Sequence, residues 1–169
     1  KSLGGEAPSP LQWKTTNSPT AGTDSVNDGW ANTNAMIAAG ASAHPAAQFC
    51  RSLTIGGYND WYLPSRDELE IIYRYLKPGA GNNSMSSGAN ENSRPTASNY
   101  TSGNPAQTSV ALFRTGGAEA MQENPYWSST QNPASWGSAI YSDFSSGGRY
   151  QNIPKTDGHR VRAVRRVPV

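Results

Sequence analysis

The feature that most constrains this chain is a change of period at Pro125. Before it, apolar residues recur at helical spacing; after it, they alternate. Tyr126–Thr130 (YWSST) reads as a strand, and in 136–144 Trp136, Ser138, Ile140, Ser142 and Phe144 share one face. Gly137, Ala139, Tyr141 and Asp143 lie on the other. Turns at 145–148 and 155–158 separate a strand over 149–153 from a last one over 160–167, with Val161, Ala163 and Val167 on one side. Short strands joined by tight turns predict antiparallel neighbours. Helices first and a sheet late place the fold in the α+β class.

The helical half has its own punctuation. Leu11–Thr16 (LQWKTT) predicts a short strand, and Asp28 is an N-cap for a helix over 29–39. Pro45 suits a first helical position, with Ala46, Phe49, Cys50 and Leu53 forming one apolar stripe that Gly56-Gly57 stops. Ser65-Arg66-Asp67-Glu68 is a capping box, followed by Leu69, Ile72, Tyr73 and Leu76 on one face until Lys77-Pro78-Gly79. Asp67, Glu68 and Glu70 are read as acids that complement the helix dipole, not as an acidic site. Residues 79–104 are a long surface insertion rich in Gly, Asn and Ser, a length that usually signals function or mobility. Asn104-Pro105 is expected to open a short helix with Ala106, Val110 and Phe113 inward, closed by Gly116-Gly117.

Composition narrows the class. Only 15% of the 169 residues are charged, against roughly 25% in average soluble domains. Ser, Thr, Asn, Gly and Ala take their place, which is poor material for a helical bundle. Five Trp, eight Tyr and three Phe anchor a modest single-domain core over 1–169. Apolar runs are a few residues long, so no membrane insertion is expected. A net charge of +2 gives no reason to expect a nucleic-acid partner, but residues 149–169 carry +5 and the remainder −3. The chain starts at Lys1, which reads as a part excised from something longer.

Catalytic patterns are missing. One cysteine, Cys50, allows no internal disulfide and no multi-cysteine zinc site, and reads as a small buried hydrophobe. Neither His44 nor His159 has a carboxylate or cysteine at metal-ligand spacing, and no Walker loop, GxSxG elbow or HExxH occurs. Glu119 and Glu123 would sit on one side of a helical turn, not across a sugar. The expectation is a protein that is not an enzyme and needs no cofactor. Calcium has no support in the sequence; Asp143 and Asp157 could help hold a cation but read more simply as turn residues and partners of nearby arginines.

Gly56–Leu69 (GGYNDWYLPSRDEL), YWSST at 126–130 and RVRAVR at 160–165 together resemble one family. It is the C-terminal domain of the Legionella collagen-like adhesin, found also in phage tail fibres and bacterial surface proteins. The resemblance covers roughly residues 26–167. It implies a C-type-lectin-like fold, with short helices on a twisted antiparallel sheet, and an adhesive role, often as a trimer at the end of a fibrous stalk. The enzymatic relatives of that fold depend on cysteines missing here. Members usually carry one more strand before the segment equivalent to LQWKTT, and none is evident here. Trp61, Leu63, Pro64 and Trp127 are read as structural.

Recognition is then expected on loops held by this scaffold. Aromatic faces stack on sugar rings while Asn, Asp and Arg satisfy hydroxyls. The candidates are Trp136, Tyr141, Asp143, Arg149, Tyr150, Asn152 and Lys155 in the sheet region, with Asn82, Asn83 and Tyr100 in the insertion. Trp136 and Phe144, on the Ile140 face, are the more core-like of the aromatics; Tyr141, Asp143 and Tyr150 are the better surface residues. The leading expectation is a phage tail-fibre tip, on the virion, that binds a bacterial surface glycan or protein as a homotrimer. A second is a bacterial adhesin, extracellular or on the cell surface, whose Arg160, Arg162 and Arg166 grip sulfated glycosaminoglycans. A third is a trimeric fibre cap without a ligand.

Overall fold

The structure is a computed structural model that describes residues 4–167. Its elements run β1 (Leu11–Gln12), α1 (Gly29–Ala38), α2 (Pro45–Ser52), α3 (Arg66–Leu76), β2 (Pro125–Gln131), β3 (Ser138–Asp143), β4 (Gly148–Pro154) and β5 (Gly158–His159). β2, β3 and β4 form an antiparallel sheet in chain order, while β1 pairs with β5. This is an α+β fold, as the change of period implies.

The helix starts follow their capping chemistry. The Asp28 carboxylate accepts the Ala31 amide at 3.0 Å, satisfying one of the orphan donors of α1. At α3 the Ser65 hydroxyl accepts the Glu68 amide, and Glu68 Oε2 accepts the Ser65 amide at 2.8 Å. The same Oε2 takes the Gly29 amide at 3.1 Å, so one carboxylate ties the starts of α1 and α3 together. That approach requires Gly29: a Cβ there would lie 2.5 Å from the Ser65 nitrogen and 2.6 Å from the Leu63 oxygen. α2 begins on Pro45 and ends at Ser52. Gly56-Gly57 do not stop it; they form the tight turn that lets Ile55 and Tyr58 pair.

β2 separates two cores. Trp127 packs with Trp13, Met36, Cys50, Leu63 and Val161 on one side. Tyr126, its neighbour, packs with Leu69, Tyr73, Tyr100, Met121 and Phe144 on the other. Both faces are therefore covered, and the polar residues Ser128–Gln131 are fully buried. Each finds partners: the Ser128 hydroxyl donates to the Ile140 carbonyl, the Ser129 hydroxyl accepts from Asn32, Thr130 donates to Ser25, and the Gln131 amide oxygen accepts from Thr20. Without those bonds their burial would be costly.

Several expectations change. Residues 160–167 are not one strand. Arg160 pairs with Tyr126, Arg162 with Glu6 and Val164 with Tyr62. A segment that stitches three partners in turn cannot build a long ladder with any of them. Its pairing with residues 5–7 also supplies an edge before LQWKTT, where no strand was evident in the sequence. Asn104-Pro105 opens no helix: the Pro105 carbonyl accepts from Lys77 and Asn83, and the Thr108 amide donates to Lys77. Those backbone groups are thus spent on the insertion, Ala106 and Val110 are exposed, and a single 3₁₀ turn follows at Ala111–Phe113. Trp136 lies outside the core, 51% exposed, in the turn before β3. A bulge between Ala139 and Tyr141 then breaks the alternation on which its placement with Ile140 and Phe144 rested.

The insertion at 79–104 has no helix or strand, yet Asn83, Ser87, Asn90, Ser93 and Tyr100 are buried. It is pinned to α3. Asn90 donates to Glu70 at 2.7 Å and Asn92 to Asp67 at 2.6 Å, and the Tyr100 hydroxyl donates to Glu70 at 2.8 Å. Asp67 and Glu70 therefore do more than complement a dipole: they are buried anchors for the loop.

Candidate functional site

The β3–β4 hairpin places the aromatic candidates. Its register sets Tyr141 opposite Tyr150 and, on the other side, opposite Trp127. The result is an aromatic row across three strands, with ring centroids 6.2 Å apart for Trp127–Tyr141 and 5.1 Å for Tyr141–Tyr150. Burial falls along the row: Trp127 is fully buried, Tyr141 half-buried, and Tyr150 47% exposed. His159, delivered by β5, sets its ring edge-on to both Trp127 (4.5 Å) and Tyr141 (4.7 Å). Burial holds its pKa below the ordinary value, so the imidazole is neutral at pH 7. Burial likewise raises the Tyr141 phenol, helped by Tyr150 and Asp143. The row is a rigid apolar platform with a phenolic edge.

The other candidates divide by burial. Asn152, on β4, is exposed, and its oxygen accepts from Asn132 at 2.7 Å, which leaves its amide hydrogens outward. Asp143 caps the hairpin turn by accepting the Ser145 amide at 2.9 Å. Arg149 reaches the insertion, with its guanidinium 3.3 Å from the Ala89 carbonyl and 3.9 Å from Asp67. Asn82, in the insertion, is exposed.

Three candidates are corrected to structural roles. Lys155 is fully buried, its ammonium donating to the Ser18 carbonyl (3.0 Å), the Trp136 carbonyl (2.8 Å) and the Gln131 side chain. Asn83 accepts from Tyr73 and donates to Thr101, Ser102 and Pro105, which leaves nothing for a ligand. Tyr100 is 4% exposed and spent on Glu70. In each case the partners are distant in sequence, so a polar side chain beside a turn looked exposed when it is a bolt through the fold.

The arginines of the last segment are paired within the chain. Arg162 meets Glu119 at 2.8 Å and Glu6 at 3.5 Å, Arg160 meets Glu6 at 3.8 Å, and Arg166 meets Glu68 at 2.9 Å and Asp28 at 3.3 Å. The local excess of +5 in sequence is thus offset by acids from earlier parts of the chain, between Glu6 and Glu119. Among the described residues no group of three His, Cys, Asp or Glu is placed to hold a metal. No helix of the described residues is long and apolar enough to cross a membrane.

Sequence reasoning missed one feature. A pocket of about 230 Å³ is lined by Trp30, Asp60, Tyr62 and Arg166. Of these only Arg166 is a candidate on sequence grounds; the DWYLPS stretch that supplies two of the others reads in sequence as pure scaffold. Its one signal was a run of aromatic and acidic residues directly after a Gly-Gly turn.

Residues 7–165 match the Lcl C-terminal domain. The chain belongs to that family. The match reaches further toward the N-terminus than the resemblance over residues 26–167. It therefore takes in Ala7, whose amide donates to Val161 at 3.0 Å, at the edge where residues 5–7 meet the last segment. No curated protein and no solved structure matches the chain. As an Lcl C-terminal domain it is an adhesin-like surface domain, with a surface or extracellular location and a surface receptor as its partner.

Proposed function

We propose that this Lcl C-terminal domain is the non-enzymatic, C-type-lectin-like tip of a phage tail fibre, carried on the virion as a homotrimer, and that it recognises a bacterial surface glycan or protein. The observation that carries the reading is the aromatic row ending in Tyr150: a flat, rigid ring, backed by Tyr141 and the buried Trp127 and bordered by the Asn152 amide. Rigid aromatic anchors lose little entropy on binding and suit both a sugar face and a protein epitope. Trp136, 51% exposed on a turn that Lys155 holds, is a second contact. Asp67 and Glu70 are committed to the insertion, and the reading involves no catalysis, cofactor or calcium. Trimerisation enters through the family resemblance. The sulfated-glycan reading is weaker, because its arginines already have carboxylates.

The test is binding of the labelled domain to whole bacteria and to a glycan array at two salt concentrations. Tyr150→Ala is expected to lower cell binding at least tenfold while costing only about 1 kcal/mol of stability, the loss of its cross-strand pairing with Tyr141. Binding confined to sulfated chains and lost at high salt would overturn the reading.

A further inference from the structure

The pocket missed from sequence is assembled by three parts of the chain: Trp30 at the start of α1, Asp60 and Tyr62 after the Gly-Gly turn, and Arg166 near the C-terminus. Its walls are aromatic. Trp30 and Tyr62 meet edge-to-face at 6.0 Å, and the Arg51 guanidinium lies 4.4 Å from the centre of the Trp30 ring. Its polar groups are already fixed in place. Asp60 is gripped by Arg165 through two bonds of 2.8 and 3.0 Å. Arg166 is held by Glu68 and the Asn27 carbonyl, and the Tyr62 hydroxyl donates to Glu68 at 2.9 Å.

Two observations define what fits. The first is charge: Arg51, Arg165 and Arg166 stand against Asp28, Asp60 and Glu68, so the pocket is balanced and has no net pull on an anion. The second is size and chemistry. About 230 Å³ is below the roughly 300–1,000 Å³ typical of larger ligands, which suits one ring. An aromatic wall with a neighbouring carboxylate acceptor and guanidinium donor matches a ring with an apolar face and adjacent hydroxyls.

We propose that the Trp30–Tyr62 pocket binds a single neutral pyranose residue, packed against the aromatic walls, with Asp60 accepting from and Arg166 donating to its hydroxyls. The inference extends the surface-recognition reading to a second site, separate from the Tyr150 platform.

The experiment is NMR titration of the ¹⁵N-labelled domain, read at the five tryptophan indole signals. The probes are methyl glycosides of glucose, galactose, mannose, N-acetylglucosamine and N-acetylgalactosamine, with glucuronate and glucose 6-sulfate as charged comparisons. Trp30→Phe assigns its signal. The indoles of Trp13, Trp61 and Trp127 donate to backbone carbonyls and report that the fold is intact. At least one neutral glycoside is expected to shift the Trp30 signal with a millimolar Kd. Asp60→Asn should weaken it at least tenfold, and Tyr150→Ala should leave it unchanged. A response only at Trp136, only to the charged sugars, or from none of the probes overturns the pocket, as does an affinity that Asp60→Asn leaves intact. Cell binding without a Trp30 response would sink this site alone. A Trp30 response without cell binding would sink the receptor reading alone.

Discussion

Lys155→Met is the sharpest test of how the fold is held. The side chain is fully buried and has no carboxylate partner among the described residues. Its ammonium donates to two backbone carbonyls and the Gln131 amide oxygen, and sits 4.5 Å from the centre of the Trp13 ring. Methionine keeps the shape and removes the donors. Ser18 O retains Lys14 at 3.3 Å and Gln131 Oε1 retains the Thr20 amide at 2.9 Å, so only the Trp136 carbonyl loses its bond. One buried acceptor left without a partner costs about 1–3 kcal/mol. The lost cation–π contact adds up to about 2, and relief of the buried charge offsets part of the sum. At pH 7 that relief, about 1.4 kcal/mol for each unit by which the pKa is lowered, cancels most of the loss, so the variant should lie within about 1 kcal/mol of the wild type; by pH 9.5 the relief has faded and the variant should be about 1–2 kcal/mol less stable, a drop in Tm of roughly 2–8 °C for a chain of this length. The gap should depend on pH. Burial and the nearby Lys14 ammonium push the Lys155 pKa down to about 7, whereas in the unfolded chain it is about 10.4. Between those values the unfolded state holds the extra proton, so the wild type gains stability as pH rises from 7 toward 10, by at most about 1.4 kcal/mol per unit. Urea unfolding of both proteins from pH 6 to 9.5 reads this directly. A difference that stays constant across that range would show that the three acceptors keep the ammonium at its ordinary pKa, and a variant as stable as the wild type at pH 9.5 would refute the hydrogen-bond accounting itself.

Three further outcomes follow from the packing. Gly147, at φ +70°, lies against the rings of Tyr73 and Tyr100; Gly147→Ala should cost about 2–4 kcal/mol in urea unfolding, from the left-handed backbone and the overpacked rings together. Glu70→Ala removes the acceptor of Asn90 and Tyr100; it should destabilise the fold by about 3 kcal/mol and make 79–104 the first segment cut in limited proteolysis. His44 and His159 both have pKa values lowered first by burial. Their unfolded forms take up protons first as pH falls below about 6.5, so Tm should drop between pH 6.5 and 5, and a His44→Gln, His159→Gln double variant should flatten that limb.

What the sequence made legible was whatever is encoded within a few residues. The Asp28 cap, the Pro45 start and the Ser65–Glu68 box are local bargains between a side chain and the next turn, and all three stand in the structure. The change of period at Pro125 likewise marked β2, β3 and β4. The closing RVRAVR was legible as important but not as a seam, because its partners are Glu6, Tyr62 and Tyr126, far apart in sequence. Alternation failed where it met a bulge: Trp136 was drawn inward by counting in twos from Phe144, but the backbone loses its register between Ala139 and Tyr141.

The same distinction explains why the polar candidates divided as they did. A polar residue beside a turn has two fates, solvent or a buried bond to another segment, and its own neighbours in sequence do not choose between them. Lys155, Asn83 and Tyr100 took the second, and each fastens an irregular stretch: the turns at Ser18 and Trp136, residues 101–105, and the insertion onto α3. Irregular backbone has no ladder to satisfy it, so a fold poor in helix and strand must spend its Asn, Ser, Thr and Lys on that task. A composition rich in Ser, Thr and Asn is then partly the chemistry of holding loops still. Rigid loops are in turn what let Tyr150 and the Trp30 pocket present fixed aromatic faces, since a platform that must be ordered on binding gives up affinity to do so.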